Sequence, residues 1–246
     1  MWSDFGFEKI LSTDKTSKIQ NLFSKVSNSY NIMNDIMSFG SHRIWKDNFV
    51  NDLQIRKNAK ILDIAGGTGD ISKCIVKKFN FLTPSVNILD LTPSMLENGR
   101  DDLWDEGIAN ITWTCGNAES IPFPDNCFDN ITISFGLRNI TNKEVAINEM
   151  YRILKPGGSL SCMEFSKINN IYLKKIYELY SFNLIPKFGK VFANDEDSYK
   201  YLVESISVFP DQERLKIMFS NANFKNISVK NIMDGLVAIH TCKKEI

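Results

Sequence analysis

The sequence predicts an α/β protein: a mostly parallel sheet with helices on both faces, a helical N-terminal cap and a C-terminal antiparallel hairpin. Three observations predict it. From residue 60 onward, short apolar runs of strand length alternate with amphipathic stretches, which is the pattern of βαβ units. The runs end in Gly-, Asp- or Asn-containing turns, where strand gives way to helix. The last two runs, Ile227 to Ile232 and Leu236 to Thr241, flank Met233-Asp234-Gly235, and Asp-Gly between such runs is a hairpin signal.

The elements follow in order. Residues 15–53 read as helix, with Ile19, Leu22, Phe23 and Val26 at i, i+3, i+4 and i+7. A second series runs through Ile32, Met33, Ile36 and Met37, breaks at Phe39-Gly40-Ser41, and resumes from Ile44 to Leu53. Lys60 to Ala65 is a buried-type strand, and Asp70 to Phe79 is the helix after it. Ser85 to Leu89 is a strand ending at Asp90, and Pro93 opens a helix to about Glu106, Pro being favoured in a first turn. Ile111 to Cys115 and Asp129 to Phe135 are strands, and Val145 to Leu154 is a helix. Pro156-Gly157-Gly158 is expected to stop that helix before the strand Ser159 to Phe165. The stretch 166–224, rich in Tyr, Phe and Lys, is expected to be mostly helical. The chain divides into a cap, 1–53, and a cofactor-binding domain, 54–246, that carries 166–224 as a helical lid.

Bulk properties exclude several functions. Among 246 residues, 29 Lys and Arg balance 29 Asp and Glu, so a nucleic-acid binder relying on bulk charge is disfavoured. The five cysteines form no Cys-x-x-Cys pair and their number is odd, which suits reduced thiols. Two histidines, His42 and His240, rule out a His-rich metal site, and no metal is expected. No apolar run approaches the roughly 18 residues of a transmembrane helix. Asp4 and Glu8 interrupt any signal-like start. The expected location is cytoplasmic, with peripheral contact at the inner membrane and a homodimer left open.

The turn Ala65-Gly66-Gly67-Thr68-Gly69-Asp70 between strand and helix suits a nucleotide-like ligand, because glycine lets backbone approach it closely. It is neither a full G-x-G-x-x-G nor a P-loop. A tight turn with no ligand is the alternative. Asp90, at the end of the next strand, can accept hydrogen bonds from both hydroxyls of a ribose; otherwise it caps the following helix. Asn117-Ala118, after the third strand, can offer a donor and an acceptor to an adenine edge, or simply turn the chain. All these positions fall at strand carboxyl ends, where open α/β sheets bind ligands.

Ile61-Leu62-Asp63-Ile64-Ala65-Gly66-Gly67-Thr68-Gly69-Asp70 resembles motif I of the class I S-adenosylmethionine (SAM)-dependent methyltransferases, whose sheet is Rossmann-like. Arg152-Ile153-Leu154-Lys155-Pro156-Gly157-Gly158 resembles the segment before their fifth strand. Five further segments are similar to the ubiquinone/menaquinone C-methyltransferase family. They are Tyr30 to Asp35, Ser38 to Lys46, Phe135-Gly136-Leu137-Arg138-Asn139, Glu164-Phe165-Ser166 and Ser198 to Ile206. The resemblance spans about Lys15 to His240 and implies SAM as cofactor and a polyprenylated quinol as substrate. It implies cofactor contacts at Thr68, Asp90, Asn117, Ala118 and Ser134, with Gly66, Gly67 and Gly69 shaping the turn. Two stretches depart from the family pattern, Leu91-Thr92-Pro93 and Asn221-Ala222-Asn223-Phe224, while Asp90 is retained.

Methylating a quinol carbon calls for a base, or for a cation that stabilises the phenolate. Arg138 can supply the cation, with Asn139 as partner donor. As a surface residue Arg138 would instead pair with Glu119. Tyr30 and His42, on the cap, are further candidates for the catalytic side, His42 as a base; Tyr30 could equally be a packed aromatic, and His42 a hydrogen-bonded structural histidine. His240 and Asp63 read as structural. The aromatic and Lys-rich stretch 171–191 fits a lid, a lipid-tail groove or a membrane-facing surface.

Overall fold

The computed structural model describes residues 2–27, 33–35, 38, 40–193 and 195–245. Its centre is a seven-stranded sheet built from β3 (Lys60–Ile64), β4 (Ser85–Asp90), β5 (Ile111–Cys115), β6 (Phe128–Ser134), β7 (Leu154–Phe165), β8 (Lys225–Ile232) and β9 (Val237–Lys243). The order is β5-β4-β3-β6-β7-β9-β8. The first five are parallel, and β9 runs antiparallel between β7 and β8. The expected C-terminal pair is present, with Ile232 opposite Val237.

Parallel strands must be covered on both faces, and Ile61, Leu62 and Ile64 are fully buried. On one face pack α3 (Asp70–Phe79) and α4 (Pro93–Asp105), with α1 (Ser12–Val26) and α2 (His42–Asn51) from the N-terminal segment. On the other pack α5 (Lys143–Ile153) and α9 (Gln212–Asn221). The lid stretch forms α6 (Ile171–Asn183), α7 (Ile185–Phe188) and α8 (Glu196–Val208). Strand order reverses between β3 and β6, so the loops at their carboxyl ends diverge and leave a crevice.

Two elements differ from expectation. The N-terminal segment starts with an antiparallel hairpin, β1 (Trp2–Phe5) and β2 (Glu8–Leu11), not with helix alone. Its anchorage is distant in sequence: Phe5 stacks on Tyr201 at 4.3 Å, and the Phe7 amide donates to Glu204 at 3.1 Å. The second difference is at Lys155-Pro156-Gly157-Gly158. The helix does end at Ile153, as the restriction before Pro156 demands. However, Leu154 is already extended and paired with Phe128, and the register then jumps to Asn130 opposite Ser159. The Pro-Gly-Gly run is thus a bulge inside β7, not a stop before it.

Candidate functional site

The floor of the crevice is the turn after β3. Ala65 and Gly67 both have positive φ, 51° and 53°. Gly67 directs its amide to Asp90 Oδ2 at 2.9 Å, and the Thr92 amide donates to Asp90 Oδ1 at 2.8 Å. Both oxygens of Asp90 are thereby fixed, and each keeps a lone pair for a ligand. Burial pushes the Asp90 carboxyl above its ordinary range, against the pull of those amides. Helix α4 reaches the turn through Gly99, where a Cβ would lie 2.5 Å from the backbone of Thr68. Asp63 beneath the turn is fully buried and accepts from Ser72 Oγ and Thr132 Oγ1, each at 2.8 Å. Burial raises it to about 6. It braces β3 against α3 and β6, as expected.

Above this floor lies a solvent-open cleft of about 730 Å³. Gly67, Asp90, Asn117, Ala118 and Asn139 all line it. Asn117 Oδ1 accepts from the Glu119 amide at 2.9 Å, so part of its acceptor capacity holds the loop and its amide N–H groups stay available. Helix α1 forms a wall with Thr16, Ile19 and Phe23. It is tied down by Gln20 on the Leu91 carbonyl at 3.1 Å and by the Thr16 and Thr141 hydroxyls 3.0 Å apart.

Ala65 and Phe135 separate this cleft from a polar recess of about 330 Å³ lined by Lys46, Asp63, Gly66, Thr68, Asp70 and Ser134. Thr68, Gly66 and Ser134 therefore lie in the recess and not in the main cleft. Gly69 lines neither and packs toward Trp113, Ile88 and Leu103. Ser134 Oγ is buried without a hydrogen-bond partner among the described residues. Lys46 lies 2.6 Å from Asp70. Burial opposes ionisation of Asp70, but Lys46 outweighs it and holds the carboxyl below its ordinary value.

Arg138 lines neither the cleft nor the recess; it is buried behind Phe135, Gly136 and Asn139, in a 3₁₀ turn, Leu137–Asn139, right after β6. Its partner is Glu164, not Glu119. Nη1 lies 2.6 Å from Glu164 Oε1 and also donates to the Phe135 carbonyl. The pair is almost completely buried, at 5% and 2% side-chain exposure, and such a pair is held mainly by its own geometry. Glu119 instead accepts from the Asn142 amide. Asn139 Oδ1 accepts from Tyr201 Oη at 3.2 Å. Phe135 has φ 53°, a strained conformation for a bulky residue. Trp45 of α2 and Phe165 pack around it, with ring centroids 4.9–6.3 Å apart.

The remaining candidates are elsewhere. His42 is buried outside the lining of the cleft and the recess, its Nε2 2.9 Å from Asp35. Burial pushes its pKa down despite Asp35, so it is neutral near pH 7. Tyr30 lies outside the described residues. His240 is a core residue, its Nε2 on the Gln212 carbonyl at 3.0 Å. The sequence reading did not single out Glu164, Tyr201, Trp45 or Gly99. Glu164 carried a legible signal, a carboxylate ending an apolar strand beside the Arg138 strand end.

The geometry can be set beside known proteins. The profile of the ubiE/COQ5 methyltransferase family matches residues 11–244. The ubiquinone/menaquinone biosynthesis C-methyltransferase UbiE of Hydrogenovibrio crunogenus is 48% identical over 238 residues, 96% of this chain and 93% of that protein. The protein of that name from Proteus mirabilis is 46% identical over 242 residues, 97% and 95% of the two chains. A SAM-dependent methyltransferase structure from Thermotoga maritima superposes with TM-score 0.65 at 18% identity, covering 92% of this chain and all of that one. The [4+2]-cyclase SpnF superposes almost as well, at 0.63 with 15% identity over 94% and 97%. The fold alone does not choose the chemistry.

Proposed function

Since the chain belongs to the ubiE/COQ5 methyltransferase family, we propose that it methylates a ring carbon of a polyprenyl benzoquinol, a demethylmenaquinol, or both, in ubiquinone or menaquinone biosynthesis. The observation that carries this reading is a cleft and a recess that meet at Ala65 and Phe135. Asp90 and Asn117 in the cleft and the unpartnered Ser134 Oγ in the recess suit a polar nucleoside with an amino-acid end, and the buried cation of Arg138 stands in the turn after Phe135.

SAM, the family's cofactor, supplies an electrophilic methyl group when bound. The residues here fit it. Asp90 would accept from the ribose hydroxyls, and Asn117 with Ala118 would meet the adenine edge. Thr68 and Ser134, in the recess beside Gly66, would hold the amino-acid end, and Gly67 keeps the floor low. On the acceptor side, Glu164 and the Phe135 carbonyl fix the Arg138 guanidinium. That cation would stabilise the phenolate character that makes the ring carbon nucleophilic. Asn139, oriented by Tyr201, would add a hydrogen bond to the same face. The N-terminal cap would exclude water. Tyr30 stays a candidate for this side, and His42, neutral and bound to Asp35, serves the cap.

A lipid acceptor also bears on location. No helix among the described residues is long and apolar enough to cross a membrane. Helix α6 nevertheless exposes Tyr172, Ile176 and Leu179 at about two thirds or more of their surface, and Lys174, Lys175, Lys187 and Lys190 lie on α6 and the segment after it. Apolar side chains beside Lys suit peripheral contact with an anionic bilayer. Co-sedimentation with anionic vesicles checks this contact. A concentration-dependent dimer that masks α6 and no vesicle binding would assign the face to a second copy instead.

The test of the main reading is to incubate the protein with SAM and demethylated benzoquinol or naphthoquinol. A mass gain of one methylene on the quinol is the expected result. No gain with either acceptor would overturn the reading.

A further inference from the structure

Seven buried side-chain polar atoms lack a hydrogen-bond partner among the described residues. Such atoms are rare in folded proteins, and each needs an explanation. Two of them are Arg138 Nε, in the turn after β6, and Tyr177 Oη, on α6 of the lid. Burial holds the Tyr177 hydroxyl far above the ordinary tyrosine range. The hydroxyl therefore remains a donor at physiological pH, as does Arg138 Nε. Two buried donors, both without an acceptor among the described residues, call for an oxygen that the protein does not supply.

Tyr177 also lines a groove of about 440 Å³ between α6 and α8, with Ile168, Phe182, Val203 and Ile206 among its apolar walls. Val203 and Ile206 are buried, while Phe182 is 41% exposed and marks the mouth. Charge at the groove is borne by Lys167, Lys174 and Glu178. Lys167 is occupied by the Ile206 and Ser207 carbonyls, and Lys174 lies 3.9 Å from Glu178. The groove is thus apolar along its walls and carries the unmet Tyr177 hydroxyl; it includes Ser166, next to Phe165, over whose ring the Arg138 guanidinium lies at 5.7 Å.

We propose that this groove seats the prenyl chain of the acceptor, and that Tyr177 Oη and Arg138 Nε both donate to a ring oxygen at its inner end. The proposal rests on the quinol reading above. It assigns what that reading leaves open: the route of the tail and a second donor to the ring. A single oxygen that carries the phenolate charge once its proton has left can accept from both groups, and preorganised donors of this kind are most effective when buried; that charge passes into the ring as the carbon–methyl bond forms and the methyl–sulfur bond breaks.

The test uses the full-length protein, SAM, and two acceptors that share a ring, one tail-less and one with a long prenyl chain. Tyr177→Phe removes a hydroxyl that has no protein partner. A purely structural residue would show unchanged turnover. The proposal expects a raised melting temperature together with a loss of kcat/KM of about tenfold on both acceptors, SAM affinity being unchanged. Val203→Phe narrows the groove and should lower kcat/KM about tenfold on the long-tail acceptor while leaving the tail-less one within about twofold. If Val203→Phe does not fold, Phe182→Ala at the exposed mouth should reduce the preference for the long tail. Full turnover by Tyr177→Phe would overturn the ring contact. Equal effects on both acceptors in the groove variants would overturn the tail site. Absence of methyl transfer by the unaltered protein on either acceptor is a separate outcome, and it overturns the quinol reading itself.

Discussion

The two walls of the crevice are built on different principles. On the cofactor wall, polar groups are held within a strand-end turn or by the turn of the adjacent strand: Asp90 by Thr92 and by Gly67 after β3, and Asn117 by Glu119. On the acceptor wall the chain of partners reaches farther. Glu164 holds Arg138, Tyr201 holds Asn139, and the hairpin residue Phe5 holds Tyr201. That wall also keeps Arg138 Nε and Tyr177 Oη unpaired. The first wall is preorganised by strand-end turns and keeps lone pairs on Asp90 and the unpartnered Ser134 Oγ for a ligand. The second depends on tertiary assembly from the hairpin to α8. The difference teaches where each wall is vulnerable.

The largest expected effect tests the cofactor wall. Asp90→Ala removes the acceptor for the ribose and frees the Gly67 and Thr92 amides. With charged hydrogen bonds worth about 1.5–3 kcal/mol each, SAM affinity should fall at least about a hundredfold. Calorimetry that found unchanged affinity would break the assignment of this wall. Arg138→Ala tests the acceptor wall. It should abolish most methyl transfer while changing SAM affinity little. It should also destabilise the fold by about 3–5 kcal/mol, because Glu164 is left buried and uncompensated. Arg138→Met with Glu164→Gln separates the two effects: stability should return and turnover should not. A double variant that regained activity would remove the guanidinium from the chemistry.

The next test concerns the brace under the cofactor wall. Asp63 titrates at about 6 when folded, against about 3.9 when unfolded. The folded state therefore takes up the proton first. The resulting stabilisation is fully present below about pH 4 and is lost as pH rises through 6, a change of about 2–3 kcal/mol. Asp63→Asn should lack this dependence. Denaturant unfolding across that window checks it, and parallel pH profiles for the two proteins would contradict it. Ser134→Ala has the smallest effect. Deleting an unpartnered hydroxyl should raise stability slightly and weaken SAM binding by about threefold to tenfold. A loss of stability with full affinity would show that Ser134 belongs to the scaffold and not to the ligand.

The same contrast decides what could be read from the sequence. Strand periodicity, Pro93 in its first turn and the Asp234-Gly235 hairpin are local signals, and the parallel strands with their C-terminal pair appear where those signals lie. The cofactor wall was legible for the same reason, since Gly67, Asp90 and Asn117 each end a strand. The acceptor wall was legible only as candidates. Arg138 could be named, but its partner 26 residues away is chosen by the β6–β7 register and by nothing near Arg138. The hairpin of residues 2–11 escaped notice because two four-residue strands offer too little alternation to stand out, and their docking surface is about two hundred residues downstream. The Pro-Gly-Gly run was read as punctuation, whereas the strong pairing of β7 on both sides absorbs it as a bulge.

That hairpin has a consequence for biosynthesis. Phe5 and Phe7 rest on Tyr201 and Glu204, and the hairpin leads directly into α1, the wall over the cleft. On the ribosome, residues 2–11 emerge before α8, so Phe5 has no ring to stack on until α8 has been translated. Domains tend to organise from the N-terminus as they are made, and here the Phe5 contact is completed late. Ribosome-bound intermediates of increasing length should bury Phe5 only once the chain extends past α8.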